Sequence, residues 1–403
     1  MNVTTCALCG SDDLVKVLDL GFHPLADTFL KIEQLLQPET RYPLQMLLCN
    51  SCGHAMSSYV VPPEKRYQEN DYSYDSGNSK VSVEHFSNMA KDVSVRAVVV
   101  AGDLVVDIGS SVGTLLEAFR TQTGAKVMGV EPAHNIANLA DKNNIPTIHD
   151  FWNDNAVEQI LSVGKAKVIT ITNAFNHIGD LDSFMANIVK VLGEDGVFVA
   201  EVPYLLHLIQ LLAFDTIYLE HTNYFAVKPL RQYFKKFGLT ITDVQENSYM
   251  GGSMRFTAQL GGVESMAVAE CIAKEEAAGL FAHDTYGVMT EKMLQFKFSL
   301  LKQLINVHAT GGTVIGIGAA TKGNTLLNYC GIDSSMLNFV TDASPLKVGK
   351  YTPGSHIPIL PDEAITAEIT HALILPWNIA EFLKGKLGPK YPTLAFITPH
   401  MEQ

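Results

Sequence analysis

From Val98 to Phe119 the chain reads VVVAGDLVVDIGSSVGTLLEAF, an apolar strand, a glycine-rich turn and the start of an amphipathic helix. No other stretch constrains the fold as much. Its centre is Asp107-Ile-Gly109-Ser-Ser-Val-Gly113. Glycine there lets a ligand approach the backbone, and the helix that follows offers unpaired amides. About 20 residues on, a second strand, KVMGVEP, ends in Glu131. Ile148-His149-Asp150-Phe151 reads as a third strand tip, Val168–Asn173 as a fourth strand and 196–202 as a fifth. Strands alternating with helical segments predict an α/β fold. The sheet is doubly wound and parallel, with its ligand at the carboxyl ends of the strands.

The pattern DxGxxxG suits S-adenosylmethionine better than the GxGxxG of a nicotinamide dinucleotide site. Asp107 would orient the methionine end, beside Gly109, Gly113 and Asn173. Glu131 would accept both ribose hydroxyls. Asp150 would reach the adenine amino group and Phe151 its face. The other reading of Asp150 is the N-cap of the next helix.

Cys6-x-x-Cys9 and Cys49-x-x-Cys52 stand 39 residues apart, each followed by glycine. Two such knuckles bring four thiolates to one ion, and with no open position the predicted zinc is structural. The gap between them requires a small lobe. His54 is expected at the surface rather than as a ligand. Six cysteines in 403 residues do not make a disulfide framework. With 29 basic and 42 acidic residues the net charge is −13, which disfavours non-specific nucleic-acid binding. No stretch reads as a membrane span or a secretory leader, so a cytoplasmic location and no membrane partner are expected.

VDIGSSVGTL, GVEP, NAFNHIGDL, AEVPYL, FDTIYLEHTNYF, GGSMRF and GIGAATKGN follow the two CxxC pairs in order. Over essentially its whole length the chain resembles the deoxysugar C-methyltransferases, which methylate C-3 of nucleotide-linked 4-keto-6-deoxyhexoses. The resemblance implies a class I methyltransferase domain between a zinc lobe and a C-terminal Rossmann-like domain. It also implies S-adenosylmethionine, zinc and a dTDP- or GDP-linked 4-keto-6-deoxysugar, used in deoxysugar biosynthesis by a monomer or weak dimer.

A methyl–carbon bond needs a carbon nucleophile, so the site needs a base and a group that steadies an enolate oxygen. The resemblance implies His221 as the base, with Tyr218 and Glu220 bonding substrate or tuning that base. His177 is a second acid/base candidate; its other reading is a histidine that packs a loop. Tyr72 and Tyr74 lie in DYSYDSGNS, from which the resemblance brings one tyrosine to the sugar, Tyr72 being favoured. Tyr224 and Arg255 complete the expected substrate contacts. The chain departs from the family where Leu219 and Met250 stand for histidines, and at Ser111 and Val112. O- or N-methylation of a similar sugar, and cofactor binding without turnover, remain as other readings.

After Gly261 a long helical region, 264–309, precedes TVIGIGAATKGNTLLNYC, a second strand–turn–helix. Lys322 and Asn324 open that helix, and a strand over 337–342 follows. The expectation is a nucleotide diphosphate with Lys322 on its phosphates; a nicotinamide dinucleotide or a purely structural domain are the other readings. The predicted division is 1–70, 71–262 and 263–403, with the site in the cleft between the last two.

Overall fold

The structure is a computed structural model, which describes residues 1–69, 72–77 and 79–399. The boundary expected between residues 70 and 71 lies outside the described residues. Three strands come first: β1 (Leu14–His23), β2 (Tyr42–Cys49) and β3 (Ala55–Ser57). They pair antiparallel in that order. The two cysteine knuckles turn at Gly10 and Gly53, whose amides donate to the Cys6 and Cys49 carbonyls at 2.9 and 2.8 Å. Gly53 has φ +81, and a Cβ there would stand 2.5 Å from the Phe281 ring. Only glycine allows both the turn and that packing.

The central sheet uses β4 (Leu104–Ile108), β5 (Lys126–Val130), β6 (Thr147–Ile148), β7 (Ala166–Thr172) and β8 (Leu192–Pro203), all parallel. β9 (Asn223–Tyr224) leaves this sheet and pairs with β3, so the N-terminal sheet has four strands. β10 (Leu239–Asn247) and β11 (Ser253–Leu260) return to the central sheet as a hairpin in which β11 alone runs antiparallel to the other strands, giving the order β10-β11-β8-β7-β4-β5-β6. The five strands expected to be parallel are so, and the hairpin adds one reversed strand, β11, to the doubly wound sheet.

The predicted helical stretch 264–309 is two helices, Met266–Ala277 and His283–Ala309. β12 (Val314–Ile317), β13 (Val340–Thr341), β14 (Ile359–Leu360), β15 (His371–Ile374) and β16 (Ala395–Ile397) then form a parallel sheet ordered β14-β13-β12-β15-β16. Among the described residues no helix is long and apolar enough to cross a membrane.

Phe175, Phe198, Phe225, Phe234 and Phe256 are fully buried beside the central sheet, and Phe175 stacks on Phe225 with ring centroids 4.7 Å apart. Each such pair is worth about 0.5–1.5 kcal/mol beyond its burial. Phe175 follows β7 and Phe225 follows β9, so the stack fastens β9 to the carboxyl edge of the sheet.

Candidate active site

β4 and β5 run parallel with Ile108 opposite Val130, so the glycine turn after β4 and the carboxylate after β5 meet. Glu131 accepts hydrogen bonds from the Ser111 amide (3.0 Å) and the Ala133 amide (2.9 Å). Burial pushes its carboxyl up to about 7 against those two bonds. Each oxygen keeps a further acceptor position. Gly109 has φ +68, and a Cβ there would stand 2.9 Å from the Ala174 Cβ. Asn173 also adopts a left-handed φ of +52, and its Oδ1 is buried without a partner among the described residues. Gly109, Glu131, Phe151, Asn173, His177 and Tyr72 line a cavity of about 1210 Å³. Ligand pockets are usually about 300–1,000 Å³.

Asp107, Gly113 and Asp150 stand off this wall. Asp107 accepts from the Thr170 hydroxyl at 2.7 Å, and burial pushes it up to about 7. Gly113 caps the helix Thr114–Thr123 and packs on Ile145. Asp150 accepts from the Phe151 amide (2.8 Å) and Asn155 (3.2 Å), and the cap of the next helix is Asn153. The helix-cap reading of Asp150 is therefore corrected.

Beside the cavity, whose wall includes Arg66, Tyr67 and His177, the side chains around His221 form a packed and buried polar cluster (the chamber). The Tyr218 and His221 rings are 3.7 Å apart and those of His177 and His221 4.9 Å apart. His221 is buried, which pushes its imidazole down to about 3 despite a backbone hydrogen bond at Thr216. Its Nδ1 has no partner among the described residues, so a neutral ring with an available lone pair faces the chamber. Burial first, then His221 and Arg66, hold His177 well below the usual imidazole range. The Tyr67 hydroxyl is hydrogen-bonded to His177 Nδ1.

Asp27, His177, Asp215, Glu220, His221 and Asn324 each carry one buried polar atom without a hydrogen-bond partner among the described residues. Leaving such an atom unpaired costs about 1–3 kcal/mol, and here six share one region.

The N-terminal sheet holds this chamber from outside. The Ser57 hydroxyl and amide donate to the His221 and Thr222 carbonyls, both at 2.9 Å. His54 is fully buried, contrary to the expected surface position, and its Nε2 meets Asn223 Oδ1 at 2.9 Å. The second knuckle thus grips the strand that carries Tyr224. Arg66, also buried, donates to the carbonyls of Glu220 (3.0 Å) and His177 (3.2 Å).

Other expected residues are placed differently. Among the described residues no hydrogen bond joins the Glu220 carboxylate to His221. Glu220 Oε1 accepts from the Asp27 amide at 2.9 Å, and burial pushes its carboxyl up to about 7. Tyr72 lines the cavity with its ring 5.2 Å from that of Tyr67; Tyr74 lines it too, near Tyr249. Arg255 does not reach the cavity, because Glu201 (2.8 Å) and Asp92 (3.6 Å) hold it on the far strands. Lys322 donates to the Met250 carbonyl at 3.0 Å with its ammonium 5.0 Å over the Trp377 ring. Asn324 donates to the Ala26 carbonyl at 2.7 Å. Leu219 is fully buried in the core, and Met250 holds φ +54.

Asp27, Arg66, Tyr67 and Trp377 escaped the sequence reading. Only Pro62-Pro63 before Arg66, a helix-start signal, marked any of them.

The four cysteine Sγ atoms lie within 4.8 Å of one another, with Cys6–Cys52 and Cys9–Cys49 at 3.6 Å. Tetrahedral zinc with 2.3 Å bonds needs sulfurs about 3.8 Å apart, so the set fits that ion. Residues 6–67 match the family model of a zinc binding domain and 94–244 that of a methyltransferase domain. Residues 248–390 match the C-methyltransferase C-terminal domain. Over 383 residues the chain is 33% identical to the C-methyltransferase NovU of Streptomyces niveus, spanning 94% of this chain and 90% of that one.

The chain belongs to the C-methyltransferase family. Its methyl donor is S-adenosylmethionine and its metal is zinc. Among solved structures, an S-adenosylmethionine-dependent methyltransferase of Clostridium acetobutylicum aligns at TM-score 0.37 and 16% identity, over 45% of this chain and 92% of that one. Magnesium protoporphyrin IX methyltransferase of Synechocystis with bound S-adenosylmethionine aligns at 0.34 and 14%, over 46% and 82%. In this C-methyltransferase Glu131, Gly109 and Asn173 suit the donor: two carboxylate oxygens with room for a diol, a bare backbone and an unpartnered amide oxygen.

Proposed function

We propose that this C-methyltransferase acts at C-3 of a nucleotide-linked 4-keto-6-deoxyhexose, carried on dTDP or GDP. The observation that carries the reading is the group of unpartnered buried atoms around His221. A sugar, with donors and acceptors on most of its carbons, is the ligand class that satisfies such a set. S-adenosylmethionine, when bound, supplies an electrophilic methyl group.

His221 Nδ1 removes the hydrogen alpha to the ketone, and the electron pair moves into the ring as an enolate. The carbon left behind is the nucleophile that C-methylation requires. Tyr218, packed on His221, and His177 are the groups at hand to steady the enolate oxygen. Tyr72 and Tyr74 line the cavity, and Tyr224, buried with its ring 6.4 Å from that of His221, is the third tyrosine assigned to the sugar. Lys322 and Asn324 open the helix Thr321–Cys330, and Lys322 is the cation assigned to the diphosphate, which would take the place of the Met250 carbonyl on its ammonium. The working division is a zinc lobe to residue 70, a methyltransferase part to 262 and a nucleotide-sugar part beyond.

The test is a product assay in deuterated water with dTDP- and GDP-4-keto-6-deoxysugars, read by mass and by the carbon shift of the new methyl. A methyl on carbon is expected. A methyl on oxygen or nitrogen overturns the reading.

A further inference from the structure

Asp27 belongs to none of the roles above, yet three separate segments of the chain converge on it. Its Oδ1 accepts from the Ser73 hydroxyl and from the Thr321 hydroxyl, both at 2.8 Å. Its amide donates to Glu220 Oε1 at 2.9 Å, next to the residue placed as the base. Its side chain is buried, and Oδ2 has no hydrogen-bond partner among the described residues. The next residue back, Ala26, gives its carbonyl to Asn324. Tyr72 and Tyr218 lie within reach of its charge.

A carboxylate fixed by two hydroxyls at one oxygen has the other oxygen held in a set direction. Burial holds the Asp27 carboxyl above the usual carboxylate range, and a buried carboxyl oxygen with no partner is costly in either form. Glu220 Oε2 has the same unmet need beside it. Lys347, the nearest cation felt by Asp27, is committed to the Ala319 carbonyl at 2.8 Å. Nothing described in the chain supplies the missing donor.

We infer that Asp27 is a specificity-determining residue, whose Oδ2 accepts a hydrogen bond from a donor substituent of the sugar. That substituent, a hydroxyl or an ammonium, sits on or beside the carbon that receives the methyl. The inference rests on the sugar reading and adds what that sugar must carry. Because Asp27 also fixes Glu220, the carboxylate pair reads the substituent close to the base. A charge-assisted bond of this kind is worth about 1.5–3 kcal/mol, or roughly 10- to 150-fold in affinity.

The experiment compares wild type with Asp27→Asn on three substrates that differ only at that substituent: hydroxyl, amine and hydrogen. KM and kcat are read separately, and S-adenosylhomocysteine affinity is read by calorimetry. For Asp27→Asn the expected result is a KM raised roughly 10-fold or more for the substrate that wild type prefers. It also includes little change in kcat, no change for the deoxy substrate, and unchanged S-adenosylhomocysteine binding. Preference for amine over hydroxyl in wild type identifies an ammonium; the reverse identifies a hydroxyl.

Equal losses on all three substrates, or no loss on any, overturn the inference and leave Asp27 a structural tie. If Asp27→Asn loses S-adenosylhomocysteine binding, Thr321→Val, which frees one bond to Oδ1, is measured instead. It must shift KM in the same substituent-dependent way, and a uniform shift overturns the inference. Should wild type methylate none of the sugars on carbon, the sugar reading itself fails. Carbon methylation without discrimination by Asp27→Asn removes the Asp27 inference alone.

Discussion

The two halves of the site are built on opposite principles. In the cofactor half, Glu131 already accepts two backbone amides, and the loops after β4 and β5 bind one another across a few ångströms. Gly109 and Glu131 are close in sequence and lie at the strand ends, and they open on a cavity whose other wall comes from the N-terminal lobe, with Ala7, Met56 and Tyr67. The chamber around His221 is non-local and buried. Asp27, Arg66, Ser57 and Thr321 reach it from segments up to 294 residues apart, and several of its polar atoms have no partner among the described residues. A methyl donor common to many chemistries needs only a strand-end cradle. The acceptor half needs groups assembled from the whole chain. The comparison teaches that the two halves should fail separately.

His221→Asn should break the chamber alone. Turnover should fall by at least about 10³-fold, somewhat within the range of lost general-base catalysis, while S-adenosylhomocysteine affinity stays unchanged by calorimetry. Full turnover would remove His221 as the base.

Cys49→Ser should have the next largest effect, and its direction is less obvious. Cys49 ends β2, which pairs with β3, which pairs with β9 and so holds Asn223 and Tyr224. Loss of zinc should cost sugar turnover more than about 10-fold, in keeping with the folding energy such sites supply. S-adenosylhomocysteine affinity should fall less than sugar turnover, since β4, β5 and β7 belong to another sheet and the metal lobe gives the cavity only its outer wall, with Ala7 and Met56. Equal losses on both ligands would erase the distinction between the halves.

Glu131→Ala is the reverse cut. Removing a buried carboxylate that a ribose diol shares should weaken S-adenosylhomocysteine roughly 10- to 100-fold, while kcat at saturating donor changes little.

The smallest expected effect is on pH. A base works only when unprotonated, and His221 is unprotonated above a pKa of about 3. At saturating ligands kcat should therefore show no acid limb from His221 as pH falls from 8 to 5. A limb near 6.5 would mean that the chamber is wet and the imidazole is solvated.

What was legible follows the same divide. Asp107, Gly109 and Glu131 stood within 25 residues, and parallel strands bring such neighbours together by rule. The cysteines were legible because one ion demands four thiolates. Even there, His54 was misplaced: nothing in the sequence shows that β9 returns to cover it. β10 and β11 went unread as strands, and only their pairing with β8 shows that β11 runs against the rest of the sheet. Asp27 lay in an unremarkable PLADTF, and its meaning depends on Thr321 lying across the molecule. Arg255 was expected at the sugar, yet its register opposite Glu201 commits it to an ion pair within the sheet. Long-range pairing of polar side chains leaves no periodic trace.

The measurement closest to the centre of this account is hydrogen exchange in the sugar without methyl transfer. Wild type and His221→Asn are each incubated in deuterated water with S-adenosylhomocysteine and the 4-keto-6-deoxysugar that wild type methylates. Deuterium at the carbon alpha to the ketone is then read by mass and NMR. The account predicts exchange by wild type well above the enzyme-free rate, and none above that rate by the variant. Exchange by His221→Asn at the wild-type rate would contradict it.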